Sequence, residues 1–189
     1  MDILKKRPVA WLVVLVVIVF GTLYGVHRSV SAASQKIEAT FYNGVYLENE
    51  KYTQPSIQSQ LDKRSEAALG LVTLGSRFGA LEAETGALRA ARQNLLSAQT
   101  ISQKYTANTQ LQSAYQVLYA ALAAQDLGDR TEAASYYASV LGGAQAVIQN
   151  SAYNGAVAAY RNMTLAAFPV VLLKNLAFVS YPDYFGLEG

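Results

Sequence analysis

The most one-sided pattern along the chain is at its start. "MDILKKRPVAWLVVLVVIVFGTLYGVHR" places Lys5, Lys6 and Arg7 ahead of an uncharged run from Pro8 to Val26. Those nineteen residues, at about 1.5 Å each, make a helix of roughly 28 Å, close to the hydrocarbon thickness of a bilayer. A cleaved signal peptide would have a shorter apolar core, and Ser31-Ala32-Ala33 would supply its cleavage site. The length favours a retained anchor. Three basic residues before the span, against Arg28 and Lys36 after it, put the N-terminus in the cytoplasm and the remainder outside. Gly21 and Gly25 form a small-xxx-small pair that lets two membrane helices approach closely, and Trp11 and Tyr24 sit near the two interfaces.

Beyond residue 30 no stretch alternates with period two for long enough to argue a sheet. Helical spacing is easier to find. Leu111, Ala114, Leu118, Ala121/Leu122 and Gln125 repeat at three and four, as do Ala134, Tyr137, Leu141, Ala144 and Ile148, continuing through Ser151/Ala152 to Ala156 and Tyr160. Asp129 with Glu132 reads as a capping box opening the second set, and Pro169 reads as its stop. This predicts four long helices: about Ala33 to Gly79 with a kink near Pro55, Ala80 to Tyr105, Asn108 to Gln125, and Thr131 to Ala167. "YTANT" and "DLGDR" are the expected breaks. Short connections make an up-and-down antiparallel bundle the simplest packing. The predicted class is all-α: a transmembrane helix over residues 1–28, a long four-helix bundle over 29–167, and an apolar segment over 168–189.

That last segment, "FPVVLLKNLAFVSYPDYFGLEG", is apolar nearly all round, with Lys174 and Asn175 as its polar interruption. Pro169 and the central Lys174 argue against a second span. One bundle cannot bury all of it. It reads as an interfacial or intersubunit element, with Phe168, Pro169, Phe178, Tyr181, Tyr184 and Phe185 meeting lipid headgroups, the anchor or a neighbouring copy.

Composition changes this picture mainly by exclusion. A net charge of +2, with 15 basic residues scattered along the chain, argues against nucleic acid as a partner. There is no Cys, and the single His, His27, lies at the end of the span beside Arg28, so neither a Ser-His nor a Cys-His relay can form beyond the anchor. Asp62 and Glu66 share a helix face, but a diiron arrangement needs Glu-x-x-His pairs, and Lys63 and Arg64 beside them read as a solvated surface. The scattered glycines match no phosphate-binding fingerprint. No catalytic residue, metal ligand, cofactor or small-molecule substrate is expected. The 13 tyrosines, among them Tyr115/Tyr119 and Tyr136/Tyr137, read as amphipathic packing with the hydroxyl at the rim, or as a contact surface.

Two stretches carry a resemblance. "FYNGVYLENEKYTQPSIQSQLDKR" (Phe41–Arg64), following an N-terminal span, is similar to the opening helix of the LemA family, and "YNGAVAAYRNMTLAAFP" (Tyr153–Pro169) with the later Tyr184-Phe185 resembles its closing helix. The chain departs from that pattern in several places. "QDLGDRTEAASYY" replaces an aromatic-Pro-acidic-Leu turn, "IQNSA" lacks the Arg before the second Tyr-Asn pair, Tyr160-Arg161 replaces a further Tyr-Asn, and Pro55 interrupts the first helix. It therefore resembles a divergent member. The resemblance implies a membrane-anchored antiparallel helical bundle without established catalysis. Some relatives are linked to organelle or vesicle biogenesis, and many are encoded near membrane proteases.

The resemblance also draws attention to the two "YNG" triplets. Tyr42 lies about 14 residues beyond the anchor and Tyr153 lies 15 residues before Phe168, roughly 21 and 22 Å along helices. If the fourth helix returns toward the membrane, they meet at similar height. Tyr42, Asn43, Tyr153 and Asn154 are then expected to form a polar layer, with Asn43 or Asn154 hydrogen-bonding between the two helices or framing a small-ligand site. The expected function is a non-enzymatic scaffold in the cell envelope that self-associates at the membrane. The alternatives are an adaptor for a membrane protease or other envelope protein, and a small-molecule or peptide sensor.

Overall fold

The computed structural model describes residues 7–168, 170–179 and 181–186. It is mostly helical. Helix α1 (Arg7–Asn43) is followed by a hairpin of β1 (Val45–Leu47) and β2 (Tyr52–Gln54), then α2 (Ile57–Gly75), α3 (Glu82–Ser97), α4 (Ile101–Ala123), α5 (Thr131–Gln149), α6 (Tyr153–Ala159), a π-helical turn at Tyr160–Thr164 and a short α7 (Val170–Leu173). The described residues fall into two compact units. One comprises Met1–Glu38 with Gly155–Pro182, and the other Ala39–Asn154 with Asp183–Gly189.

In the larger unit, α2 lies against α5, α3 and α4, while α3 pairs with α4. That central position explains why α2 is buried on more than one stripe, through Ile57, Leu61, Ala67, Ala68, Leu71 and Leu74. The helices around it bury narrower faces: Leu88, Ala91 and Leu95 on α3, Leu111, Leu118 and Leu122 on α4, and Ala134, Leu141, Ala144 and Ile148 on α5. These are the stripes expected for the last two. Gly75 lets α2 and α3 approach, since a Cβ there would stand 2.4 Å from Thr85 Oγ1.

Several sequence-level boundaries are corrected. The expected kink near Pro55 is a complete break. Gly44 ends α1 at φ 89°, its N–H donating to Thr40 O at 2.9 Å, the conformation that glycine adopts most readily past a helix end. The chain then reverses in the hairpin, pairing Val45 with Gln54 and Leu47 with Tyr52. Strands of three residues are too short for alternation to register in a sequence scan. "YTANT" is no break: α4 runs straight through it and starts earlier, at a capping box in which Thr100 Oγ1 accepts from Gln103 N and Gln103 Oε1 accepts from Thr100 N. Asp129 does not cap α5. It sits in a 3-10 turn with its side chain exposed, 3.8 Å from Arg130, and that turn leads directly into the helix. The expected helix from Thr131 to Ala167 is interrupted between Gln149 and Tyr153.

The smaller unit is built on α1. Leu23, Val26, Val30, Ala33 and Ile37 fall at spacings of three and four and pack with Tyr160, Leu165, Val170, Ala177 and Val179. Polar contacts fix the same surface. Tyr160 Oη donates to Val30 O at 3.0 Å, Arg161 Nη2 donates to Pro182 O at 3.1 Å, and His27 Nδ1 lies 2.8 Å from Ala177 O. A carbonyl only accepts, so His27 carries its proton on Nδ1. The π-turn is closed by Leu165 N donating to Tyr160 O at 3.3 Å.

Candidate functional site

Three features stand out. The first is the exposed face of α1. Trp11 and every residue from Leu12 to Phe20 are exposed, Trp11 at 74% and Phe20 at 68%. Among the described residues this is the one helix long and apolar enough to cross a membrane. At 37 residues it runs about 55 Å, so a span of roughly 30 Å leaves its C-terminal part outside the hydrocarbon layer. Gly21 and Gly25 lie on an open face: beyond the adjoining residues and backbone of their own helix, no atom of the described residues comes within 4 Å of a Cβ built at either position.

The second is the meeting of Tyr42-Asn43 with Tyr153-Asn154, four residues of the larger unit. Their roles differ. Tyr42-Asn43-Gly44 closes α1, whereas Tyr153-Asn154 opens α6. The residue that joins them is Phe41, fully buried, with its ring edge-on to Tyr153 at 5.5 Å and to Tyr42 at 5.1 Å. The expected amide bond between the two helices is not what forms. Asn43 is exposed, and Asn154 clamps the backbone of Phe185, with Nδ2 donating to Phe185 O at 3.0 Å and Oδ1 accepting from Phe185 N at 2.9 Å. Tyr153 Oη donates to Asp183 O at 2.7 Å. An extended chain offers both groups of a peptide unit side by side, which suits a primary amide better than a distant second amide does.

That clamp revises the closing stretch. Phe185, expected on a contact surface, is only 6% exposed, its ring 5.4 Å from Tyr105 and 5.7 Å from Phe41. Tyr184 is partly buried. Phe168 and Phe178, by contrast, are 81% and 86% exposed, and Tyr181 is exposed as well. Phe178 adopts a φ of 48°, uncommon for a bulky residue. Pro169 lies outside the described residues.

The third feature is Arg64, which the sequence reading placed on a solvated face. Its side chain is fully buried. Nη2 donates to Gln112 Oε1 at 2.7 Å, and Nη1 donates to Gln145 Oε1 and more distantly to Leu141 O. Among the described residues no carboxylate pairs with it, and burial pushes its guanidinium down to about 10, against a smaller opposing effect of Tyr115. It therefore stays a cation at neutral pH. Its helical register with Ile57, Leu61, Ala68 and Leu71 was the signal available in the sequence. Among the described residues, no three His, Asp or Glu side chains converge as metal ligands would.

Compared with family models, curated proteins and solved structures, the chain matches none of them.

Proposed function

We propose that this chain is a membrane-anchored, non-enzymatic helical scaffold, a divergent LemA-like protein that self-associates at the membrane surface. The observation that carries the reading is the unbroken exposure of large apolar side chains along α1 from Trp11 to Phe20. Soluble monomers rarely expose contiguous apolar patches of more than a few hundred Å². The anchor enters from the cytoplasm, by its flanking charges, and carries the remainder outside. Helices α2 to α5 would form the antiparallel four-helix bundle, a reading supported by their mutual packing and short connections.

Two surfaces fit association between copies. One is the small-residue face at Gly21 and Gly25. The other is the pair Phe168 and Phe178, whose rings the fold leaves outside its core. The test is the size of the full chain extracted in mild detergent. A homogeneous assembly is expected, reduced by Phe168→Ser with Phe178→Ser or by Gly25→Ile without loss of helical signal. A monomer that co-purifies with an unrelated envelope protein would sink the scaffold reading and favour an adaptor.

A further inference from the structure

In the smaller unit, the uncharged run of α1 over residues 8–26 is about 28 Å long. A hydrocarbon layer of roughly 30 Å therefore ends near His27 and Arg28. Packing on α1 begins before that point. Leu23 and Val26, both inside the run, pack in the cluster that holds Val170, Ala177 and Val179. His27 Nδ1 lies 2.8 Å from Ala177 O, which sets Ala177 at the level where the run ends. Residues 170–179 thus cover part of the anchor at a depth where lipid would otherwise cover it.

What that stretch turns outward is apolar as well. Leu172 is 66% exposed and Leu176 64%, with Val171 exposed beside them, while Val170, Ala177 and Val179 pack with α1. Residues 168–179 include no Asp or Glu. Their one charged side chain, Lys174, has a stem long enough to carry its ammonium toward the headgroups. The backbone suits the same surroundings. The N–H groups of Val171, Lys174, Ala177 and Val179 donate to Ala167 O, Val170 O, Leu173 O and Lys174 O at 2.7–3.3 Å, and His27 occupies the Ala177 carbonyl. Backbone groups paired inside the protein are what contact with lipid requires.

We propose that residues 170–179 form a second, shallow membrane contact, in which Val171, Leu172 and Leu176 enter the boundary between acyl chains and headgroups. The partner is the phospholipid bilayer, in the leaflet where the apolar run of α1 ends. This rests on reading α1 as the anchor, and the anchor supplies the reason. A segment packed on Leu23 and Val26 cannot leave the membrane without uncovering them. Interfacial contacts of this kind also set how a spanning helix tilts and rotates in the bilayer. The contact between copies proposed for Phe168 and Phe178 then forms at the same depth.

The test uses the full chain in vesicles of phosphatidylcholine and phosphatidylglycerol, with an environment-sensitive fluorophore on a single introduced cysteine, since the chain has no Cys of its own. Leu172→Cys and Leu176→Cys alter exposed side chains, Val16→Cys reports on the anchor, and Asp129→Cys, at an exposed side chain, is the water reference. Emission is read together with quenching by phospholipids spin-labelled either near the headgroup or deep in the acyl chain. Leu172→Cys and Leu176→Cys are expected to emit to the blue of Asp129→Cys and to be quenched several-fold more by the shallow label. Val16→Cys should be quenched most by the deep label. If Val16→Cys is quenched by neither lipid, the anchor reading falls and this inference falls with it. If Val16→Cys is quenched while both leucine positions emit like Asp129→Cys, the segment lies in water and this inference alone is overturned. Blue-shifted emission at those positions without quenching by lipid also overturns it, because protein such as a second copy then covers the face.

Discussion

At the residue scale, the informative positions are those whose surroundings reverse the ordinary expectation. Glycine in a helix is usually a weakness of about 1 kcal/mol relative to alanine. Gly75 is the reverse case, because Thr85 is buried and β-branched and the Leu118 side chain approaches to 3.2 Å. Gly75→Ala is expected to lower stability by about 1–3 kcal/mol, whereas Gly142→Ala, with open space at the Cβ, should raise it by roughly 0.5–1 kcal/mol. Chemical denaturation of the two variants checks the sign. Tyr160 makes a second case. Burial raises its pKa, the Ser34 hydrogen bond opposes that, and Tyr181 adds to it. The unfolded chain, with a tyrosine pKa near 10, therefore gives up the proton first. The stabilisation is complete below about pH 10 and is lost as pH rises through the folded value, where a phenolate could no longer donate to Val30 O. Tyr160→Phe should be less stable by about 1 kcal/mol at pH 8, with the gap narrowing above pH 10 in pH-dependent melts.

At the scale of elements, the hairpin and the α5–α6 break explain one another. A break leaves backbone groups without helical partners. Gln54, the last residue of β2, meets two of them: its Nε2 donates to Asn150 O at 2.9 Å, and its Oε1 accepts from Ala152 N at 2.8 Å. The hairpin thus serves as a side-chain clamp on an interrupted helix. Gln54→Ala is expected to lower stability by about 1–2 kcal/mol and to speed hydrogen exchange at the Ala152 amide, with little change at Leu111 in the core. Unchanged exchange at Ala152 would show that the break is held by other means.

At the scale of the whole molecule, the decisive property is an apolar helix whose side chains from Trp11 to Phe20 are all exposed. Sidedness can be read directly because the chain has no native Cys. Asp129→Cys, at an exposed side chain, should react with a membrane-impermeant maleimide added to intact cells. Labelling only after the membrane is opened would reverse the proposed orientation.

The sequence by itself determined the properties that need only local spacing. The apolar run of α1, the stripes of α4 and α5 and the helical class all follow from which residues recur at three and four. Even the stripe Leu23–Val26–Val30–Ala33–Ile37, missed beneath the stronger membrane signal, was present in that form. The tertiary structure decided what depends on partners far along the chain. Arg64 reads as a surface charge until Gln112 and Gln145 arrive from 48 and 81 residues away. Asn154 reads as an interhelical amide until the backbone of Phe185 occupies it. Phe185 and Phe178 are the same residue type seven positions apart, one in an aromatic cluster and the other in the open. Periodicity marks which face of a segment will be buried. Which polar groups meet there is a matter of three-dimensional proximity, and nothing in local order encodes it.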